Sequence, residues 1–336
     1  MKVVCFGELL LRLSAPQREL LLQSPTLTVW VGGAEANVAV SLACFGHDSS
    51  LVSVVPDNPL GEACRAELRR RGVDARHVQT GRGRMGLYFF TPGAGLRAGE
   101  VIYDRADSAF ARAAADSFDW PLILAGADWL HVSGVAPGVG PRSAQIARTA
   151  LEAARRQGVR VSFDCNYRAK LWQAWDGDAA AVLSGLAALA DLLFADDRTL
   201  ALLLPREQRA ATADDPFAAL SAAAFAKFPS LSRIATGTRA EQDVDNHWIG
   251  GRLIDRDGMV VVEPRLAAGI VERIGSGDAF AAGLLHALGT GRDEREALEF
   301  AVAASCLKHS IPGDANLATV GEVEALLAGR GFALRR

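Results

Sequence analysis

The sequence has no apolar run approaching the ~18 residues of a membrane span. It enters a strand-like pattern at Val3, Val4 and Phe6, with no basic segment, short apolar core and cleavage site ahead of it. A cytoplasmic protein without a membrane partner is therefore expected. Nor is there an excess of one charge: the net charge is −3, the isoelectric point is near 6.1, and lysines and arginines are spread along the chain. That excludes the basic footprint of a nucleic-acid binder. The five cysteines (Cys5, Cys44, Cys64, Cys165, Cys306) are odd in number, widely spaced and never form Cys-x-x-Cys, and the six histidines never form His-x-x-x-His. Buried free thiols are expected, and a zinc site is not. Two nucleotide signatures are missing as well. No Gly-rich loop ends in Gly-Lys-Ser/Thr, and no Gly-x-Gly-x-x-Gly follows the first strand, so a Walker-type loop and a dinucleotide fingerprint are set aside.

What is present is ample apolar material, half of 336 residues, for a large core. Residues 2–13 read as a first strand that carries an acid, Glu8, and carboxylates at strand ends in α/β folds sit where ligands bind. Residues 14–32, with Pro16 and Pro25 and no helical period, suit an excursion from the main sheet. Gly32-Gly33 then open a helix that Gly46 stops, and these two glycines either offer N–H groups to a ligand or serve packing alone. Two strand-like runs, Leu87 to Phe90 and Val101 to Arg105, flank a Gly-rich stretch. They predict a hairpin, either joined with 14–32 as a lid or attached to the edge of the main sheet. From residue 122 strand and helix alternate, which implies parallel strands with helices on both faces. Residues 244–273 read as strands with turns at Gly250-Gly251 and Asp257-Gly258, and three helices near 277–289, 293–308 and 320–328 close the pattern.

One string concentrates chemistry: Ile274-Gly275-Ser276-Gly277-Asp278-Ala279-Phe280-Ala281-Ala282-Gly283. Two glycines free the backbone to turn, and the small apolar run behind them reads as a helix whose N-terminal N–H groups would hold an anion such as a phosphate. An acid beside an anion hole suits accepting a proton from a hydroxyl that attacks phosphorus, although Asp near a helix start is also an ordinary cap. The close-packed continuation favours the anion hole. Asp164-Cys165-Asn166-Tyr167-Arg168 follows an apolar strand, so it sits at the edge where open α/β sheets bind ligands. All three tyrosines, Tyr88, Tyr103 and Tyr167, fall in the hairpin or this strand end, which suggests an aromatic-walled polar pocket.

GSGDAFAAG resembles the GAGDAFAAG signature of the ribokinase-like (phosphofructokinase-B) carbohydrate kinases, VGGAEANVAVSLACFG resembles that family's N-terminal signature, and SFDCNYRAKLW its middle motif. GGAEANVAV, YDRADSA (103–109), DCNYRAKLW and KHSIPGDANL (308–317) are most similar to the 2-keto-3-deoxygluconate kinases within it. The resemblance implies a three-layer α/β/α fold, residues 1–336 as one domain, with a mainly parallel central sheet and a small β-sheet lid within about 14–32 and 86–106. It implies Asp278 as catalytic base and Gly275, Ser276 and Gly277 as the anion hole. Gly33, Asn37, Tyr88, Tyr103, Arg105 and Arg168 match positions that hold the sugar acid, and Asn166, Thr236, Gly237 and Lys308 fall near the ATP site. It also implies a homodimer through the lid.

Two departures stand out. An Asn-x-x-Glu motif that helps organise magnesium in the family falls here at Asp196-Asp197-Arg198-Thr199 without the glutamate, and Asp196 is left as the oxygen ligand for Mg2+. A Lys-Leu-Gly segment is replaced by Ala235-Thr236-Gly237-Thr238-Arg239. The implied reaction is transfer of the γ-phosphoryl group of ATP to the terminal hydroxyl of 2-keto-3-deoxygluconate. Fructose and the galactonate epimer are the alternative substrates, and a sugar-acid-binding protein without catalysis is the alternative of another class.

Overall fold

The computed structural model describes residues 1–208 and 214–330. Along its first strand, β1 (Lys2–Phe6), Val3 and Cys5 alternate with Val4 and Phe6, all four fully enclosed, and the two sets enter different cores. A strand apolar on both faces must be covered on both, which is the pattern of a parallel sheet between helical layers. In chain order there follow β2 (Leu10–Ser14), β3 (Thr28–Gly32), β4 (Asp48–Pro56), β5 (Val78–Gly81), β6 (Gly86–Thr91) and β7 (Glu100–Asp104). The remaining strands are β8 (Trp129–Ser133), β9 (Arg160–Asp164), β10 (Leu192–Phe194), β11 (Arg233–Asp243), β12 (Asn246–Ile254) and β13 (Met259–Ala268).

Nine strands form the large sheet in the order β13-β12-β11-β10-β9-β8-β1-β4-β5. From β11 to β5 neighbours run parallel, while β12 and β13 extend it antiparallel. One core lies under helices Pro141–Gln157, Ala179–Ala187, Asp197–Leu203 and Pro216–Lys227. The other lies under Ala34–Cys44, Pro59–Arg70, Ser276–Gly289, Glu294–Lys308 and Val320–Leu327. This is the expected three-layer α/β/α arrangement. A separate small sheet, β3-β2-β6-β7, is parallel at its centre and antiparallel at its edges. None of the described helices is long and apolar enough to cross a membrane.

Three local readings are corrected. Residues 2–13 are two strands rather than one: a Cβ on Gly7 would run into the Glu35 carboxylate, and the chain leaves the large sheet there to start the small one. Both halves look alike in sequence because both are buried. Gly250-Gly251 is not a turn but the middle of β12, opposite a register shift, and the chain turns at Val244-Asp245 instead. A Cβ on Gly251 would press on Leu298 and Val302 of the covering helix, so the glycine serves close packing. Lastly, β11 runs far beyond Ile234-Ala235, to Asp243, because it pairs antiparallel with β12 along that length, and its exposed, polar outer half hides this in the sequence. The parallel strands place the carboxyl ends of β9, β10 and β8 beside the small sheet and the N-terminus of helix Ser276–Gly289.

Candidate active site

Helix Ser276–Gly289 begins from Gly275, whose φ of 81° is left-handed. A Cβ there would also run into the Asp314 carbonyl oxygen, so the turn tolerates only glycine. The Ser276 hydroxyl donates to the Arg273 carbonyl at 3.0 Å and closes the turn. Gly277, by contrast, has no protein atom within 4 Å of where a Cβ would stand, because that position faces open cavity. Asp278 follows in the first helical turn and is 9 % exposed. Its Oδ2 accepts from Asn37 Nδ2 at 2.7 Å. Asn37 stands on helix Ala34–Cys44, which starts at Gly33 (φ 138°), itself packed against the Glu8 carbonyl oxygen. Two glycine-initiated helices thus bring their N-termini together at one carboxylate.

Burial pushes the Asp278 carboxyl up to about 7; the Asn37 bond and Arg168 oppose the rise, while Asp164 and Asp314 add to it. Asp164, at the end of β9, is raised by burial to about 7 as well, against the pull of Arg168. Glu35, bonded to the Ser133 hydroxyl and amide, is also held near 7 by burial. Three acids around one site therefore titrate close to neutrality.

A cavity of about 690 Å3 joins these groups to the small sheet. Gly33, Asn37, Tyr88, Tyr103, Arg105 and Arg168 all line it, as do Gly275, Ser276, Gly277 and Asp278. The Tyr88 and Tyr103 rings stand 6.4 Å apart, and Tyr88 donates its hydroxyl to Asp314 Oδ2 at 2.6 Å. Asp314 in turn pairs with Arg12 of β2 at 2.9 Å, and Arg12 reaches Glu272 at 2.6 Å. Arg12 is fully enclosed, with the Trp30 and Phe90 rings about it. Arg105 gives Nε to Glu8 Oε2 at 2.5 Å, and Ser108 bonds the other Glu8 oxygen. Glu8 does not line the cavity; it anchors Arg105, so its contribution to a ligand is indirect.

Asn166, Thr236, Gly237 and Asp196 line the same cavity, from the segments after β9 and β10 and from β11. Asn166 takes a positive φ of 33° and donates its amide to Asp164 Oδ1, while Asp196 caps helix Asp197–Leu203 by accepting from Thr199. Lys308 is not among the lining residues. It is fully enclosed behind the Gly275 turn, where Nζ donates to the Ile311 carbonyl at 2.9 Å, and burial lowers its pKa to about 8. Tyr167 lies outside the cavity too, 38 % exposed.

An acid poised at a helix N-terminus in an α/β cavity is the equipment for moving a proton beside an anion. A family model described as pfkB family carbohydrate kinase matches residues 1–319. The chain belongs to this family of carbohydrate kinases. The kinase is 36 % identical to 2-dehydro-3-deoxygluconokinase from Thermotoga maritima, whose crystal structure matches it with a TM-score of 0.90 over 98 % of this chain and 100 % of that one. It is 31 % identical to a 2-dehydro-3-deoxygalactonokinase from Haloferax volcanii, covering 98 % of this chain and 97 % of the relative. A 2-dehydro-3-deoxygluconokinase from Thermoproteus tenax is 29 % identical over 97 % of this chain and 94 % of its own.

The donor set of the kinase fits magnesium held chiefly by substrate phosphates and water. No group of three or more His, Cys, Asp or Glu side chains able to hold a metal occurs among the described residues, and the carboxylates that line the cavity are Asp164, Asp196, Asp278 and Asp314. Sequence reasoning set Asp164 at a ligand-binding strand end without giving it a role, and gave none to Glu35, Arg12, Glu272 or Asp314. The structure makes Asp164 the last residue of β9.

Proposed function

We propose that the kinase transfers the γ-phosphoryl group of ATP to the terminal hydroxyl of 2-keto-3-deoxygluconate, giving 2-keto-3-deoxy-6-phosphogluconate. The observation that carries this reading is the Asp278 carboxylate, held by Asn37 at the start of a glycine-opened helix, in one cavity with Arg105 and Arg168. A carboxylate cannot strip an alcohol beforehand; Asp278 takes the proton as the oxygen–phosphorus bond forms. Its elevated pKa makes it a better acceptor than an ordinary aspartate while leaving it largely ionised at mildly alkaline pH. The N–H groups of the Gly275–Gly277 turn face the charge that builds on the transferring group. Magnesium, when bound, supplies neutralisation of the phosphate oxygens, with Asp196 and Asp164 as its protein partners.

Substrate choice rests on charge. The Nη groups of Arg105 have no hydrogen-bond partner in the described protein, while Nε is tied to Glu8, so the fork is oriented and free to take a carboxylate. A neutral hexose would offer these Nη donors only hydroxyl oxygens in place of a carboxylate, a mismatch that lowers kcat/KM. The galactonate epimer is a second reading, favoured by the Haloferax relative. The test is ATP consumption with magnesium on 2-keto-3-deoxygluconate, its galactonate epimer and fructose in parallel. Preference for a keto acid is expected, and turnover of fructose alone would overturn the substrate. Pairing of two chains through the small sheet belongs to the same proposal, supported by Val29 (56 % exposed) and Ile102 (49 % exposed) on its edge strands.

A further inference from the structure

Arg12 is fully enclosed, and the reading above gives it no part in the chemistry. The register of the small sheet places it in a row across all four strands: Trp30 of β3, Arg12 of β2, Tyr88 of β6 and Tyr103 of β7 stand opposite one another in turn. Directly opposed residues share a face of a sheet, so the guanidinium lies on the same face as the two tyrosines that line the cavity. A shift of the sheet carries all of them together. Arg12 itself does not line the cavity, so it can act on a ligand only through its neighbours.

Those neighbours are two carboxylates tied to the anion-hole turn. Arg12 Nη1 meets Glu272 Oε2 at 2.6 Å, and Nε meets Asp314 Oδ1 at 2.9 Å. The other oxygen of Glu272 accepts the amide of Ile274, the residue before Gly275, at 3.0 Å. The carbonyl of Asp314 is the group packed against Gly275, while its Oδ2 accepts the Tyr88 hydroxyl at 2.6 Å. An unbroken chain of contacts therefore runs from a tyrosine of the cavity wall through Asp314 and Arg12 to Glu272 and the backbone of the turn. Lys308, also fully enclosed, stands behind that turn, its Cε 3.3 Å from the place of a Gly275 Cβ, and its charge with that of Arg12 offsets the two carboxylates. In a site closed to water these charges hold their partners far more strongly than they would in solvent, so the turn follows the sheet. We propose that Arg12 is a positioning residue that couples the small sheet to the anion-hole turn: a sugar acid that draws the sheet in also sets the N–H groups of Gly275–Gly277 for the transferring phosphoryl group. The inference rests on the sugar acid binding against the small sheet.

The coupling is read as a ratio by calorimetric titration: the affinity for 2-keto-3-deoxygluconate with a non-hydrolysable ATP analogue and magnesium present, divided by the affinity without them. Linkage makes this ratio the same whichever ligand is varied, and in the parent it should be about ten. Arg12→Lys keeps the charge but loses the fork that spans two carboxylates, and Glu272→Gln keeps the shape but loses the charge. In both the ratio should fall to about one, while binding of the sugar acid alone changes little. Glu8→Gln is the control, because it loosens Arg105 on the same sheet without touching the turn; sugar-acid binding should weaken and the ratio stay as in the parent. Damage to the fold would lower affinities or the denaturation midpoint without singling out the ratio in this way. A parental ratio of about one, the parent's ratio retained by Arg12→Lys or Glu272→Gln, or an equal loss in Glu8→Gln would overturn the coupling. A parent that binds no sugar acid would sink the substrate reading and the coupling together, whereas one that shows the ratio but transfers no phosphate would sink only the proposed reaction.

Discussion

Asp278 is asked to be ionised in a place that penalises charge. Burial holds its pKa near 7, and Asn37 is the neutral donor that favours the ionised form. Because the base form is the deprotonated one, kcat/KM should fall as pH drops below about 7, while Asp164, Asp314 and Arg168 also act on the same carboxyl. Asn37→Ala removes a bond to the charged form, so the acid limb should move to higher pH. A pH profile of kcat/KM checks the direction, and an unmoved limb would remove Asn37 from this role. Asp278→Ala should lower kcat by roughly 10²–10⁴, the loss of a general base, and near-normal turnover by the folded variant would refute it.

At the scale of the element, the helix start at Gly275 separates two kinds of glycine. Gly275→Ala meets both a left-handed φ and the Asp314 carbonyl, so it should destabilise by about 1–3 kcal/mol, read as a lowered denaturation midpoint. Gly277→Ala meets no protein atom and should fold like the parent while kcat/KM drops, because its methyl group takes space the ligand uses. Equal midpoints for the two variants would contradict this division. The string from Ile274 to Gly283 was legible because turn, helix and acid are contiguous. The alternation of strand and helix was legible because its period is local. Arg12, Glu272 and Asp314 were not, since nothing near Arg12 announces partners far along the chain. Lys308 shows the opposite fault: a basic residue in a quoted motif read as a nucleotide contact, yet the helix carries it behind the turn, outside the cavity lining. Gly250-Gly251 misled because a pair of glycines signals a turn and a tight helix–sheet contact alike.

Across the whole molecule, the small sheet is held to the large one by enclosed charges at two places, Glu8 with Arg105 and Arg12 with Glu272 and Asp314. Its edge strands expose Val29 and Ile102. Val29→Asp with Ile102→Asp should convert a dimer to monomers by light scattering while leaving the body folded. An unchanged mass would remove the small sheet as the contact. The Arg12 link has a further consequence for how the protein is made. Strand β2 leaves the ribosome early, but Asp314 is synthesised roughly 300 residues later, which at ~5–20 residues per second is a wait of ~15–60 s. Until Glu272 is made a guanidinium destined for full enclosure has neither counter-ion, although all four strands of the small sheet are present by Asp104. Release of the chain before residue 272 would leave it in that condition, making such fragments natural clients of chaperones and proteases.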